Sequence, residues 1–102
     1  MLRRRARYKP QALRDFHDWV ASLGCLVCGD EATLHHCTGY ADKPGRFSRD
    51  DWLVCPLCPK HHLIQFGPRE SVEALGHQGF FITYGIDLLA EAMRLTDMRR
   101  AA

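Results

Sequence analysis

No run of apolar residues in this chain comes near the roughly 20 that a membrane-spanning helix requires. A helical membrane protein is therefore excluded. The first residues lack the apolar core of a signal peptide, and the cysteines are odd in number, five, so a fully paired disulfide framework is excluded as well. A reducing, cytoplasmic setting is expected. The chain has no internal repeats, no low-complexity tract and no nucleotide-binding glycine loop of the usual pattern. Acidic residues are missing from positions 1 to 14, where Arg3, Arg4, Arg5, Arg7, Lys9 and Arg14 stand, although the net charge of the whole is only +2. A cationic arm on a near-neutral body suits a polyanion, with DNA foremost; a solvated terminus accounts for the arm alone equally well. Length is also short: 102 residues make one small domain, near the size where a core is only marginally stabilising and a structural metal contributes to folding. The expected division is a flexible basic arm over 1–9 and a single domain over 10–102, monomeric.

What is present is a concentration of cysteine and histidine over residues 25 to 62. Cys25-Leu-Val-Cys28 opens it, His35-His36-Cys37 follows, and Cys55-Pro-Leu-Cys58-Pro-Lys-His61-His62 closes it. Two pairs of ligands, each with two residues between its members, are what a tetrahedral Zn²⁺ site needs. The second pair is either Cys58 with His61 or Cys55 with Cys58. His35, His36 and His62 cannot all join a site that four ligands fill, so a second cation site beside the first is expected.

Pro10 suits the first turn of a helix over about Gln11 to Leu23, with Leu13, Phe16, Val20 and Leu23 on one face, and Gly24 as its stop. His17 falls off that stripe and reads as a surface residue. Ala32 to Cys37 reads as a short strand, on which His35 and His36 must face opposite ways, so that one can hold metal while the other addresses a substrate. Residues 38 to 50 read as a loop whose Lys43, Arg46 and Arg49, interleaved with Tyr40 and Phe47, could grip phosphates. A second strand is expected at Trp52 to Cys55 and a helix from Cys58 to about Phe66. Two further helices, about 68–75 and 80–95 with a break at Tyr84-Gly85, would supply an apolar cover from Val72, Leu75, Phe81, Ile86, Leu89 and Met93. Arg94, Arg99 and Arg100 suit the dipole at the last helix end or a DNA contact. His77, in a glycine-rich turn, reads as inert and Cys37 as a buried thiol.

Strand, loop, strand and helix, with histidine on the first strand and on the helix, is the ββα-metal layout. Cys25-x-x-Cys28, His35-His36, Asp51-Trp-Leu-Val-Cys-Pro-Leu-Cys58 and Pro59-Lys-His61-His62 resemble the HNH endonucleases, most closely the phage recombination-enhancement, RecA-dependent subgroup. The resemblance implies an α+β fold: a small treble-clef-like core with a zinc cage, flanked by an N-terminal helix and C-terminal helices. It implies a structural zinc on Cys25, Cys28, Cys58 and His61, with His36 as the general base and His35 and His62 on a catalytic Mg²⁺ or Mn²⁺. It further implies DNA as substrate, products with 5′-phosphate and 3′-hydroxyl ends, a bacterial or phage-infected cell, and a recombinase filament as a candidate partner. The common pattern has an Asn between the two histidine positions; here Asp50 or Asp51 stands there. Asp51 is preferred, either orienting His36 or ligating the ion. A non-catalytic zinc-binding DNA module and a protein-interaction adaptor are the rival readings.

Overall fold

The computed structural model describes residues 10–37, 40–43, 46–48 and 51–101, with backbone alone at 40–43, 46–48 and 101. Helix α1 (Gln11–Ser22) forms because Leu13, Phe16 and Val20 recur on one face, and all three are buried. Pro10 serves as its N-cap. Gly24 follows it with φ +84°, and a Cβ there would stand 2.8 Å from the Gly29 carbonyl oxygen. Only glycine lets the chain turn this tightly into the first cysteine pair. His17 is a correction: it is 5% exposed, and its Nε2 donates to the Asp51 carbonyl oxygen at 2.7 Å. Position 17 lies one helical turn from Leu13, and the buried face of α1 is wide enough to include it.

Strands β1 (Thr33–His36) and β4 (Val54–Leu57) pair antiparallel, with His35 opposite Cys55 and His36 opposite Val54. Between them, β2 (Tyr40–Lys43) and β3 (Arg46–Ser48) form a second two-stranded antiparallel sheet with an irregular register. A loop was expected here. Residues 40–43 and 46–48 are strand instead, while 38, 39, 44, 45, 49 and 50 lie outside the described residues. β4 begins two residues later than its expected start at Trp52 and includes Pro56, which a two-stranded sheet tolerates because each strand has an open edge.

Every residue of β4 is buried, and the strand divides the core. Val54 packs with Leu13, Phe16, Val20 and Leu95, while Cys55 and Leu57 pack with Val72, Phe80, Leu88 and Ala92. Helix α2 (Pro59–His62) is a single turn with Pro at its start. It stops well before Phe66 because Leu63 is extended (φ −109°, ψ 134°), and at Gly67 the chain returns so close to the Lys60 carbonyl that a Cβ there would overlap it.

Helix α3 (Val72–Tyr84) starts at Ser71, whose side chain accepts from the Ala74 N–H, and is kinked at Gly76. Gly85, with φ +73°, ends it, as the expected break at Tyr84-Gly85 required, and α4 (Leu88–Ala101) follows. The apolar cover needs correction. Val72 is buried and Leu75 and Ile86 are partly so, but Phe81, Leu89 and Met93 are exposed; Phe80, Leu88, Ala92 and Leu95 are buried instead. No described helix is long and apolar enough to cross a membrane.

Candidate metal centre

The first cysteine pair sits in a knuckle closed by backbone bonds from Gly29 N–H to the Cys25 carbonyl and from Cys25 N–H to the Asp30 carbonyl, both 2.9 Å. The Val27 N–H points at the Cys25 sulfur at 3.4 Å. On the other side Cys58 is the N-cap of α2, and His61 lies on its turn, with the His61 N–H bonded to the Cys58 carbonyl at 3.0 Å. These two segments bring the ligand atoms of Cys25, Cys28, Cys58 and His61 within 4.8 Å of one another. Zn²⁺ bonds of about 2.3 Å to sulfur and about 2.0 Å to nitrogen set tetrahedral edges of about 3.8 Å and 3.5 Å. The structure has 3.6 Å between the Cys28 and Cys58 sulfurs, and His61 Nδ1 lies 3.7 Å from Cys25 Sγ and 3.2 Å from Cys58 Sγ. The donor set and its spacing fit a structural zinc.

The thiols feel their crowding. Burial pushes Cys25 upwards, but the N–H groups of Cys58, Cys28 and Val27 outweigh it and hold this thiol below the ordinary value. The Asp30 N–H pulls Cys28 down, yet burial and the Cys58 and Cys25 sulfurs push it up to about 11. One thiolate is favoured and a second is opposed, a conflict that a divalent cation relieves. Cys55, the alternative fourth ligand, lies outside this group. Its sulfur is 3.2 Å from that of Cys37 and donates to the Leu88 carbonyl at 3.0 Å, and the contact with Cys37 together with burial keeps it protonated. Cys37 is only partly buried.

The histidines of β1 separate as strand alternation requires. His36 Nε2 lies 3.1 Å from Asp51 Oδ1, with the carboxylate about half exposed. His35 faces the other way, where the His62 ring stands edge-on at 5.3 Å and the His77 ring at 5.1 Å. Its Nε2 is 2.8 Å from that of His77, the residue read as inert. Burial, and then the neighbouring His62, His77 and His36, lower the His35 pKa to about 3; burial also lowers His62 and His77. All three are neutral near pH 7 and able to bind a cation. His17 and His77 carried no sequence signal, because each meets its partner across a long stretch of chain.

Of the proposed DNA contacts, Arg3, Arg4, Arg5, Arg7 and Arg49 lie outside the described residues, as does the alternative Asp50. Lys43 and Arg46 pair in the β2–β3 register. Arg94 is bonded to Glu91 at 2.6 Å, and Arg99 lies over the Trp19 ring at 5.4 Å.

Fold and site together define a small α+β protein with a four-ligand candidate zinc centre. The chain belongs to the DUF968 family, described as protein of unknown function, whose model matches residues 2–88. No curated protein and no solved structure matches it.

Proposed function

We propose that the protein is a metal-dependent endonuclease or nickase of the HNH type, hydrolysing DNA phosphodiesters in phage or recombination-related DNA processing. The observation that carries this reading is the arrangement around β1. Two consecutive residues meet different partners drawn from distant segments: His36 an aspartate, His35 a pair of imidazoles.

In this reading His36 is the general base. The Asp51 carboxylate accepts its Nε2–H and fixes the tautomer in which Nδ1 is the basic nitrogen. His17 holds the Asp51 carbonyl, which steadies the carboxylate. His36 takes a proton from water as the water oxygen attacks phosphorus; the bond to the 3′ oxygen breaks, and that oxygen takes a proton from solvent. The products carry 5′-phosphate and 3′-hydroxyl ends. His35 and His62 would hold a divalent ion, Mg²⁺ or Mn²⁺, whose charge would offset that developing on the phosphate oxygens. The basic arm and Lys43, Arg46 and Arg49 serve the DNA backbone, giving affinity without sequence choice.

Supercoiled plasmid incubated with Mg²⁺ or Mn²⁺ tests the reading. The intact chain is expected to nick or linearise it, and His36→Ala to lower the rate by at least about 100-fold. Equal cleavage by both removes the base from His36. Tight DNA binding without cleavage by either makes the chain a zinc-binding DNA module.

A further inference from the structure

His77 stands in Gly76-His77-Gln78-Gly79, outside every motif that suggested chemistry. Its position is nevertheless set by the fold. Gly76 has φ +74° and ψ 168°, a conformation open to glycine, and this kink interrupts α3 immediately before His77. The histidine beyond it meets the His35 ring of β1 edge-on at 5.1 Å, and the His62 ring of α2 meets the same ring edge-on at 5.3 Å. Three separate elements therefore each supply one imidazole to the same place.

Two details indicate what the place is for. The His35 and His77 Nε2 atoms are 2.8 Å apart. That is a hydrogen bond, in which one of the two Nε2 atoms carries the shared proton. Two imidazoles cis on an octahedral ion at about 2.1 Å have nitrogens about 3.0 Å apart, so an ion can replace that proton with little movement of either ring. The pair thus stands near ligand spacing. The second detail is the tautomer of His62. The Thr33 hydroxyl has one proton, and it donates that proton to the Leu57 carbonyl at 2.7 Å. At its 2.8 Å contact with His62 Nδ1 the hydroxyl must therefore accept, so Nδ1 carries hydrogen and Nε2 carries the lone pair. A hydrogen bond on one ring nitrogen that frees the other is the support that metal-binding histidines have.

We propose that His35, His62 and His77 form a three-imidazole site for a divalent first-row transition ion, with His77 as the third ligand. The site is separate from the cysteine cage, and only the ion's catalytic task rests on the nuclease reading above. Among the described residues only the cage has all its ligand atoms within 4.8 Å of one another, and His35 and His77 are already 2.8 Å apart, so binding requires the His62 ring to move towards the other two. Imidazole donors favour Mn²⁺, Co²⁺, Ni²⁺ or Zn²⁺ over Mg²⁺, which prefers oxygen ligands and retains its water, so of the two ions named under the nuclease reading a third imidazole favours Mn²⁺.

Co²⁺ titration of the full chain separates the two sites, since only the cage gives sulfur-to-cobalt charge-transfer absorption. The intact chain is expected to bind two equivalents, one with that band and one without. His77→Gln should weaken the second equivalent at least about tenfold while the charge-transfer band and the far-ultraviolet circular dichroism stay unchanged. Thr33→Val, which removes the hydroxyl acceptor, should weaken it less. One equivalent only in the intact chain, or an unchanged second affinity in His77→Gln, overturns the proposal. A second equivalent lost in His77→Gln while the intact chain cleaves no plasmid with any divalent ion supports the site and removes the nuclease reading. Plasmid cleavage by the intact chain with unchanged second-ion affinity in His77→Gln does the reverse.

Discussion

Cys25 illustrates how one side chain can belong to two systems, since it is a buried member of the core cluster around β4 and also a member of the candidate zinc cage. Replacing it removes a ligand and opens the knuckle that packs against Leu57 and Cys58. Native mass spectrometry of the intact chain is expected to show one cage zinc, and Cys25→Ser none. His35 gives a residue-scale prediction of another kind. Its pKa falls from 6.5 in the free side chain to about 3 in the fold. Between those values the unfolded chain takes up a proton that the folded chain refuses, so this residue makes stability fall as pH drops from about 6.5 towards 3. Above that window its penalty vanishes. Urea unfolding across the range should show the decline, and His35→Gln should show a shallower one; equal slopes would remove the assignment. The cysteine spacing was legible because a knuckle is a local structure. The meetings of His35 with His77 and of His17 with Asp51 were not, because no local pattern encodes a contact made between distant segments.

At the scale of elements, the position of Gly85 decides which side chains face the core. A single helical period drawn through residues 80 to 95 selects Phe81, Leu89 and Met93, yet Gly85 ends α3 in a left-handed conformation and α4 restarts in a new phase. Leu88 is 1% exposed where Leu89 is 37% exposed. Leu88→Ala should therefore cost about 2–5 kcal/mol in a urea midpoint experiment, and Leu89→Ala about 1 kcal/mol or less. The reverse order would place the wrong face inward. The break itself was visible in sequence; its effect on phase was not, since the angle at which a helix resumes depends on packing. The β2–β3 hairpin was missed for a related reason. Glycine and proline mark a turn, but whether flanking residues pair across it depends on backbone bonds that composition does not reveal.

For the whole molecule, β4 is the shared wall of two apolar clusters, one against α1 and Leu95 of α4, the other against α3, Leu88 and Ala92 of α4, and the cysteine knuckle. Neither cluster is large, and the cage links the Cys25–Cys28 segment to α2 across the sheet. Removing zinc with a strong chelator is expected to lower the midpoint of thermal unfolding by more than 10 °C and to leave one cooperative transition, measured by circular dichroism. Two separated transitions would mean that the clusters fold independently. The turn Pro59–His62 adds a last consequence. Its neighbouring residues His61 and His62 look in different directions, one to the cysteines and the other to Thr33 and His35. Such a turn works like a common hinge pin for two doors: slackening on the cysteine side misaligns the imidazole side. A preparation that has shed an ion from the cysteine side would then show poor ion affinity on the imidazole side, and the fault would lie one residue away from where it was measured.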